Sequence, residues 1–205
     1  MEDKKIIEPP KADPIITDFK ALRKISKPTS WEEIKKLNLI DRLRASNETA
    51  WTPGIGLAAI QIGIPLRMGW FMDKENSKNI ILVNPVITKA AKKVIVPKEG
   101  CLSIPGVWSQ TERYCDVTVT TLGEKEPETL EFSGFLAIVV QHEVDHMNGV
   151  LNIQRRYHPP QLVGRNEPCP ECLKKGITKK YKKCEEHFEK VYTPDKEPEA
   201  KKDSI

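Results

Sequence analysis

The chain has 205 residues, 39% of them hydrophobic and 30% charged, with a net charge of +4. That length predicts one domain with a small appendage, and the composition excludes a wholly disordered, fibrous or collagen-like chain. The longest purely apolar run, Phe135 to Val140, falls far short of the ~18 residues of a membrane span. Behind Met1-Glu2-Asp3-Lys4-Lys5 stands no apolar secretory core, which predicts a cytoplasmic protein. Five cysteines, some of them beside metal-type partners, favour metal ligation over a disulfide framework in a reducing compartment.

Residues 1–14 are charged and proline-bearing and read as an arm. Ser30-Trp31-Glu32-Glu33 fits a capping box, and Ile34, Leu37, Ile40 and Leu43 then recur at helical spacing. One amphipathic helix over 31–45 is therefore predicted. Asn47 to Pro53 reads as a loop leading to Gly54-Ile55-Gly56. Strands are predicted at 67–72 and 80–87 around a polar turn at 74–79, with a short edge strand at 93–97. Residues 115–121 alternate in strand fashion, Leu122-Gly123-Glu124 turns the chain, and 128–132 returns as the second strand of a hairpin.

A helix starting at Ser133 or Gly134 carries Phe135, Leu136, Ile138, Val139 and Val140, apolar on nearly every side, and so is central and buried. Strands followed by a late buried helix predict an α+β fold, with antiparallel sheets packed around that helix. Pro159-Pro160 marks a boundary. The expected organisation is a catalytic domain over 1–158, a zinc-binding module over 159–190 and a disordered tail over 191–205.

His142-Glu143-Val144-Asp145-His146 is an H-E-x-x-H sequence. Residues four apart share a helix face, so both imidazoles can reach one divalent ion, and Glu143 can act on water without being a ligand. A third ligand is needed. His158 and His187 lie beyond the boundary, whereas Cys101 sits in Glu99-Gly100-Cys101-Leu102-Ser103, a loop or strand end from which its thiolate can face the helix. Burial as a small hydrophobe is the competing reading for Cys101, and it suits Cys115 better.

Gly54-Ile55-Gly56-Leu57-Ala58-Ala59-Ile60-Gln61, then Glu99 to Ser103, then Gln141 to His146 resemble the three motifs of the peptide deformylase family, in the same order. The resemblance covers roughly residues 20–155. It implies hydrolysis of the formyl group from N-formylmethionyl peptides of newly made proteins, with release of formate. It further implies Cys101, His142 and His146 as ligands of Fe(II), with Zn, Ni or Co as alternative occupants. Glu143 would move the proton, while the Gln61 amide and the Leu102 backbone N–H would donate to the developing oxyanion.

By the same resemblance Phe135, Ile138 and Val139 would line a methionine pocket with Ile55 and Pro97 opposite, although simple core packing fits these residues equally well. Gly54, Gly56 and Gly100 would let the peptide backbone approach, and Glu99 with Arg113 would support the cysteine loop. Met147, Trp108 and Pro53 depart from residues common in relatives, at the rim of the site rather than among its ligands. A zinc peptidase of broader specificity and a non-catalytic docking protein remain as alternatives. The latter should have lost Glu143, Gln61 or a ligand, and none is lost.

Cys169-Pro170-Glu171-Cys172 and Cys184-Glu185-Glu186-His187 form C-x2-C and C-x2-H pairs, a set suited to a tetrahedral structural Zn(II). Unligated thiols are the other reading. The flanking residues 164–170 and 179–184 resemble the SEC-C zinc motif, with C-x2-C in place of C-x-C. In that family the motif docks proteins and the ribosome. Residues 155–205 hold 13 Lys+Arg against 9 Asp+Glu, the whole of the net charge. The tail therefore either tethers the enzyme to the polyanionic ribosome or is a solvated, zinc-stapled appendage. Oligomeric state is not legible.

Overall fold

Three short helices open the part of the chain that the structure, a computed structural model, describes, which is residues 11–157. They are α1 (Phe19–Leu22), α2 (Trp31–Lys36) and α3 (Leu39–Glu48). The Ser30 hydroxyl accepts from the Glu33 N–H at 3.2 Å and so starts α2. The Glu33 carboxylate instead accepts from the Thr29 hydroxyl at 2.6 Å, so only half of the expected capping box forms.

The single helix expected over 31–45 is two. Asn38 adopts φ 48°, a left-handed conformation that asparagine tolerates better than most residues, and the chain changes direction there. The break lets Ile34, Leu39 and Leu43 all enter one core cluster with Leu57, Met68 and Val83. Asp13, expected within the arm, is anchored. The Asp13 N–H donates to the Ser46 hydroxyl at 2.8 Å, and the Asp13 carboxylate accepts from Arg42 Nε at 2.8 Å and Nη2 at 3.0 Å.

Two antiparallel sheets follow. The first holds β1 (Gly56–Ala58), β2 (Met68–Asp73) and β3 (Lys78–Val83) in that order. The second holds β4 (Val86–Glu99), β5 (Ser109–Leu122) and β6 (Pro127–Ser133), also in chain order. The predicted edge strand at 93–97 is thus part of the second half of a 14-residue strand. Its alternating lysines and small residues weaken the apolar signal by which a strand is read. The β5 side chains alternate as predicted, with Val117, Val119 and Thr121 buried. The three-residue β1 lies within the glycine segment, too short to show any period.

The last helix, α4 (Gly134–Met147), starts at a glycine with φ 59° that turns the chain sharply out of β6. Ala137, Val139, Val140 and Val144 pack with Phe71 and Leu82 of the first sheet and Val117, Val119 and Phe132 of the second. Met147 packs with Ala58 and Ile60. Helix and sheet are mixed, in keeping with the α+β expectation. Among the described residues no helix is long and apolar enough to cross a membrane. The C-terminal zinc module and tail expected beyond the boundary lie outside the described residues.

One hydroxyl bridges the sheets. Thr121 Oγ1 accepts from the Val83 N–H at 2.8 Å and donates to the Val83 carbonyl at 3.0 Å, both buried. Thr121→Val keeps the volume but leaves two buried backbone groups unpaired, so it should cost about 2–3 kcal/mol in urea unfolding. Thr118→Val on the same strand, where no such bridge exists, should cost less than about 1 kcal/mol.

Candidate metal centre

The α4 helix sets His142 and His146 one turn apart, with their Nε2 atoms 3.2 Å from each other. Strand β4 ends at Glu99, and the turn that follows, closed by the Ile104 N–H donating to the Cys101 carbonyl at 3.0 Å, aims the cysteine at the helix. Cys101 Sγ lies 3.3 Å from His146 Nε2, and the three ligand-type atoms all fall within 4.8 Å of one another. Two nitrogens about 2.0–2.1 Å from one tetrahedral ion are about 3.3–3.4 Å apart, so the spacing fits a shared divalent cation.

The surrounding charges favour that use. Glu99 Oε1 lies 2.8 Å from His142 Nδ1, which holds the proton on that nitrogen and leaves the Nε2 lone pair facing the other two donors. Burial opposes a charge on His142, yet the Cys101 sulfur and Glu99 carboxylate outweigh it and raise its pKa well above the ordinary value. Burial and the His142 charge together hold His146 well below the ordinary value.

Behind the donors stands a buried ion-pair network. Arg113 is 3% exposed; its Nε and Nη2 donate to the Glu99 carboxylate at 2.9 and 2.6 Å, and its Nη1 donates to Asp145. Arg155 donates to both oxygens of Asp145, from Nη2 to Oδ1 at 2.7 Å and from Nε to Oδ2 at 3.1 Å. Thr111 Oγ1 adds a bond to Glu99 at 2.7 Å, and the Asn152 amide donates to the Glu99 carbonyl at 3.1 Å. Sequence reasoning found Glu99 and Arg113 but missed Asp145, Asn152 and Arg155. Asp145 occupies a free position of H-E-x-x-H, and no local spacing marks the other two.

Glu143, next to the first histidine, is 3% exposed and its Oε2 has no hydrogen-bond partner among the described residues. Burial pushes its carboxyl up to about 7. Its Oε1 lies against Gly56, where an added Cβ would approach to 2.8 Å, so only glycine leaves room. Gln61 is buried; its carbonyl accepts from the Ala58 N–H at 2.9 Å, which turns the amide nitrogen toward Ser103 Oγ at 3.2 Å and Cys101 Sγ at 3.7 Å. The Leu102 carbonyl is held by Trp51 Nε1 at 3.2 Å.

These groups lie along a cleft of about 370 Å³. Its lining includes Gly54, Ile55, Gly56, Gly100, Phe135, Ile138 and Val139. Pro97 is exposed and does not line it, because strand alternation gives Val96 and Lys98 to the cleft instead. Trp51 and Lys98 line it too and were not foreseen; of the three residues expected at the rim, Trp108 and Pro53 line the cleft and Met147 is buried in the core. Cys115, half-buried in β5, is no part of the cleft.

Two sheets, a helix with paired histidines and a cysteine loop define a protein of mixed α and β build with a candidate metal-binding centre. The family model for polypeptide deformylase matches residues 13–161. A peptide deformylase of Agrobacterium fabrum is 39% identical over 143 residues, 68% of this chain and 83% of that protein. The crystal structure of peptide deformylase from Thermotoga maritima aligns with TM-score 0.66 and 30% identity, over 73% of this chain and all of that one (100%). A Met-Ala-Ser-bound peptide deformylase of Acinetobacter baumannii aligns with TM-score 0.62 and 30% identity, over 71% of this chain and 98% of that one. The chain belongs to the polypeptide deformylase family.

The buried network carries a pH dependence. Burial alone would raise the Glu99 and Asp145 pKa values, but hydrogen bonds and charge from His142 and Arg113 at Glu99, and from Arg113 and Arg155 at Asp145, depress both. The stability they contribute is complete above their unfolded pKa values near 4 and is lost as pH falls through the depressed native ones. Urea unfolding between pH 7 and pH 3 should show a fall in stability below about pH 4, and Asp145→Asn should flatten that fall. Asp145→Leu, which strips Arg113 of one buried partner, should cost about 3–5 kcal/mol at pH 7.

Proposed function

We propose that this chain removes the formyl group from N-formylmethionyl peptides of newly made proteins and releases formate. The observation that carries the reading is the convergence of three donor atoms and one partnerless buried carboxylate at the end of an apolar cleft. Cys101, His142 and His146 are the residues that would hold the ion, with Fe(II) the family's usual occupant and Zn, Ni or Co as alternatives. A bound divalent ion supplies Lewis-acid chemistry that activates water near neutral pH.

Glu143 accepts a proton from the attacking water and passes it to the peptide nitrogen as the C–N bond breaks, leaving formate and a free amine. Its elevated pKa, raised by burial to about 7, suits a group that must both take and give a proton near neutrality. The Gln61 amide and the Leu102 N–H donate to the oxyanion that forms at the formyl carbon. Glu99 and Arg113 keep His142 and the cysteine loop in place. Ile55, Phe135, Ile138 and Val139 receive the methionine side chain, and Gly54, Gly56 and Gly100 allow the backbone to approach in extended form. The Met-Ala-Ser seen bound in the Acinetobacter relative is the kind of product such a cleft releases.

The catalytic part is read as residues 1–158, with a zinc module over 159–190 that uses Cys169, Cys172, Cys184 and His187. Its basic excess supports docking near nascent chains on the ribosome.

Glu143→Ala should retain the metal yet lose about 100- to 10,000-fold in formate release, whereas Cys101→Ala should lose the metal itself. Near-normal turnover in Glu143→Ala would defeat the proton-transfer role, and cleavage of the Met–Ala bond would favour the broader peptidase. Metal analysis of the whole chain should find two equivalents. The Cys169→Ser/Cys172→Ser variant should fall to one equivalent while formate release from a short peptide persists.

A further inference from the structure

The cleft has one exposed charge. Of its ionisable lining residues, Glu99, Cys101, His142 and Glu143 lie inward at the metal centre, while Lys98 stands in solvent near the end of β4. Among the described residues no carboxylate forms an ion pair with Lys98. Its ammonium lies 4.5 Å from the centroid of the Trp108 ring. Trp108 is 55% exposed and its ring packs on Gly100, where an added Cβ would meet Cζ3 at 2.7 Å. A cation resting on an aromatic face keeps its charge available to a third group, and it spends less side-chain freedom on capturing one.

Position matters as much as charge. Lys98 precedes the ligand-type Cys101 by three residues, a separation of at most about 10 Å because β4 ends at Glu99 and the chain then turns. A substrate whose formyl carbon lies at the metal centre, running extended beside this strand, brings its second or third residue level with Lys98. The methionine side chain is already taken up by the apolar end of the cleft, so the contact falls on the residues that follow it.

We propose that Lys98, propped on Trp108, makes this enzyme select formyl-Met peptides that carry a carboxylate at the second or third residue. The inference rests on the deformylase reading and adds a substrate preference to it. Electrostatic selection of this kind is modest for an exposed pair and is screened by salt.

The test compares kcat/KM for formyl-Met-Ala-Ser with peptides bearing Glu or Lys at the second or third residue, at about 0.02 M and about 0.5 M salt. At low salt the Glu peptide should exceed the Lys peptide about three- to tenfold at one of the two positions, and the ratio should shrink toward one at high salt. Lys98→Glu should invert the ratio, and Trp108→Ala should reduce it. Equal values for Glu and Lys peptides at low salt, or a Lys98→Glu enzyme with the unaltered ratio, would overturn the inference while leaving deformylation intact. No formate from any of the peptides would overturn the deformylase reading and this inference with it.

Discussion

The guanidinium of Arg113, buried between the carboxylates of Glu99 and Asp145, joins the strand that ends at the cysteine loop to the helix that carries both histidines. A cation taken out of water is costly unless well partnered, and here both partners are themselves tied to the site. Glu99 orients His142, and Asp145 sits between Glu143 and His146 in the chain. The geometry of three donors within 4.8 Å of one another thus depends on a charge that touches none of them. Arg155 and Asn152 extend the same network to the last described turn of the chain, fastening Asp145 and the Glu99 carbonyl in turn.

Around that network the packing is apolar and close. The α4 helix is pressed by both sheets at once, so its buried polar residues face the cleft, the donor cluster, the ion-pair network or, for Gln141, the Tyr114 backbone of β5. Glycine at 56 follows from this crowding, because the Glu143 carboxylate lies where a Cβ would project. Leaving Glu143 buried with one oxygen unpartnered has a cost in stability, and it is the same desolvation that brings the carboxyl into a range useful for proton transfer. At the mouth the logic reverses: Trp51, Trp108 and Phe135 are more than half exposed, which suits a surface that an extended peptide covers.

Much of this was readable from local patterns. Period-two alternation marked β5, the run from Phe135 marked a helix, although Phe135 itself is exposed, and H-E-x-x-H marked two imidazoles on one side of it. Where the pattern was weak, the reading faltered. The break at Asn38 went unseen because the apolar spacing runs on across it, and only the fit of Ile34 and Leu39 into one cluster requires the turn. The length of β4 was missed because an exposed strand of lysines shows no apolar alternation, and Pro97 was assigned to the cleft without regard to which face it occupies.

The sequence by itself determined the donor types, the one-turn spacing of the histidines and the acid placed beside them, since a helix converts spacing into direction. It also determined the alternation that gives each strand an inner and an outer face. Only the tertiary structure decided that Arg113 reaches Asp145, 32 residues away, that Asn152 reaches back 53 residues to Glu99, and that Lys98 lies over Trp108. Such contacts have no period. They arise where two sheets and a helix are forced together, and nothing local to either partner records the other.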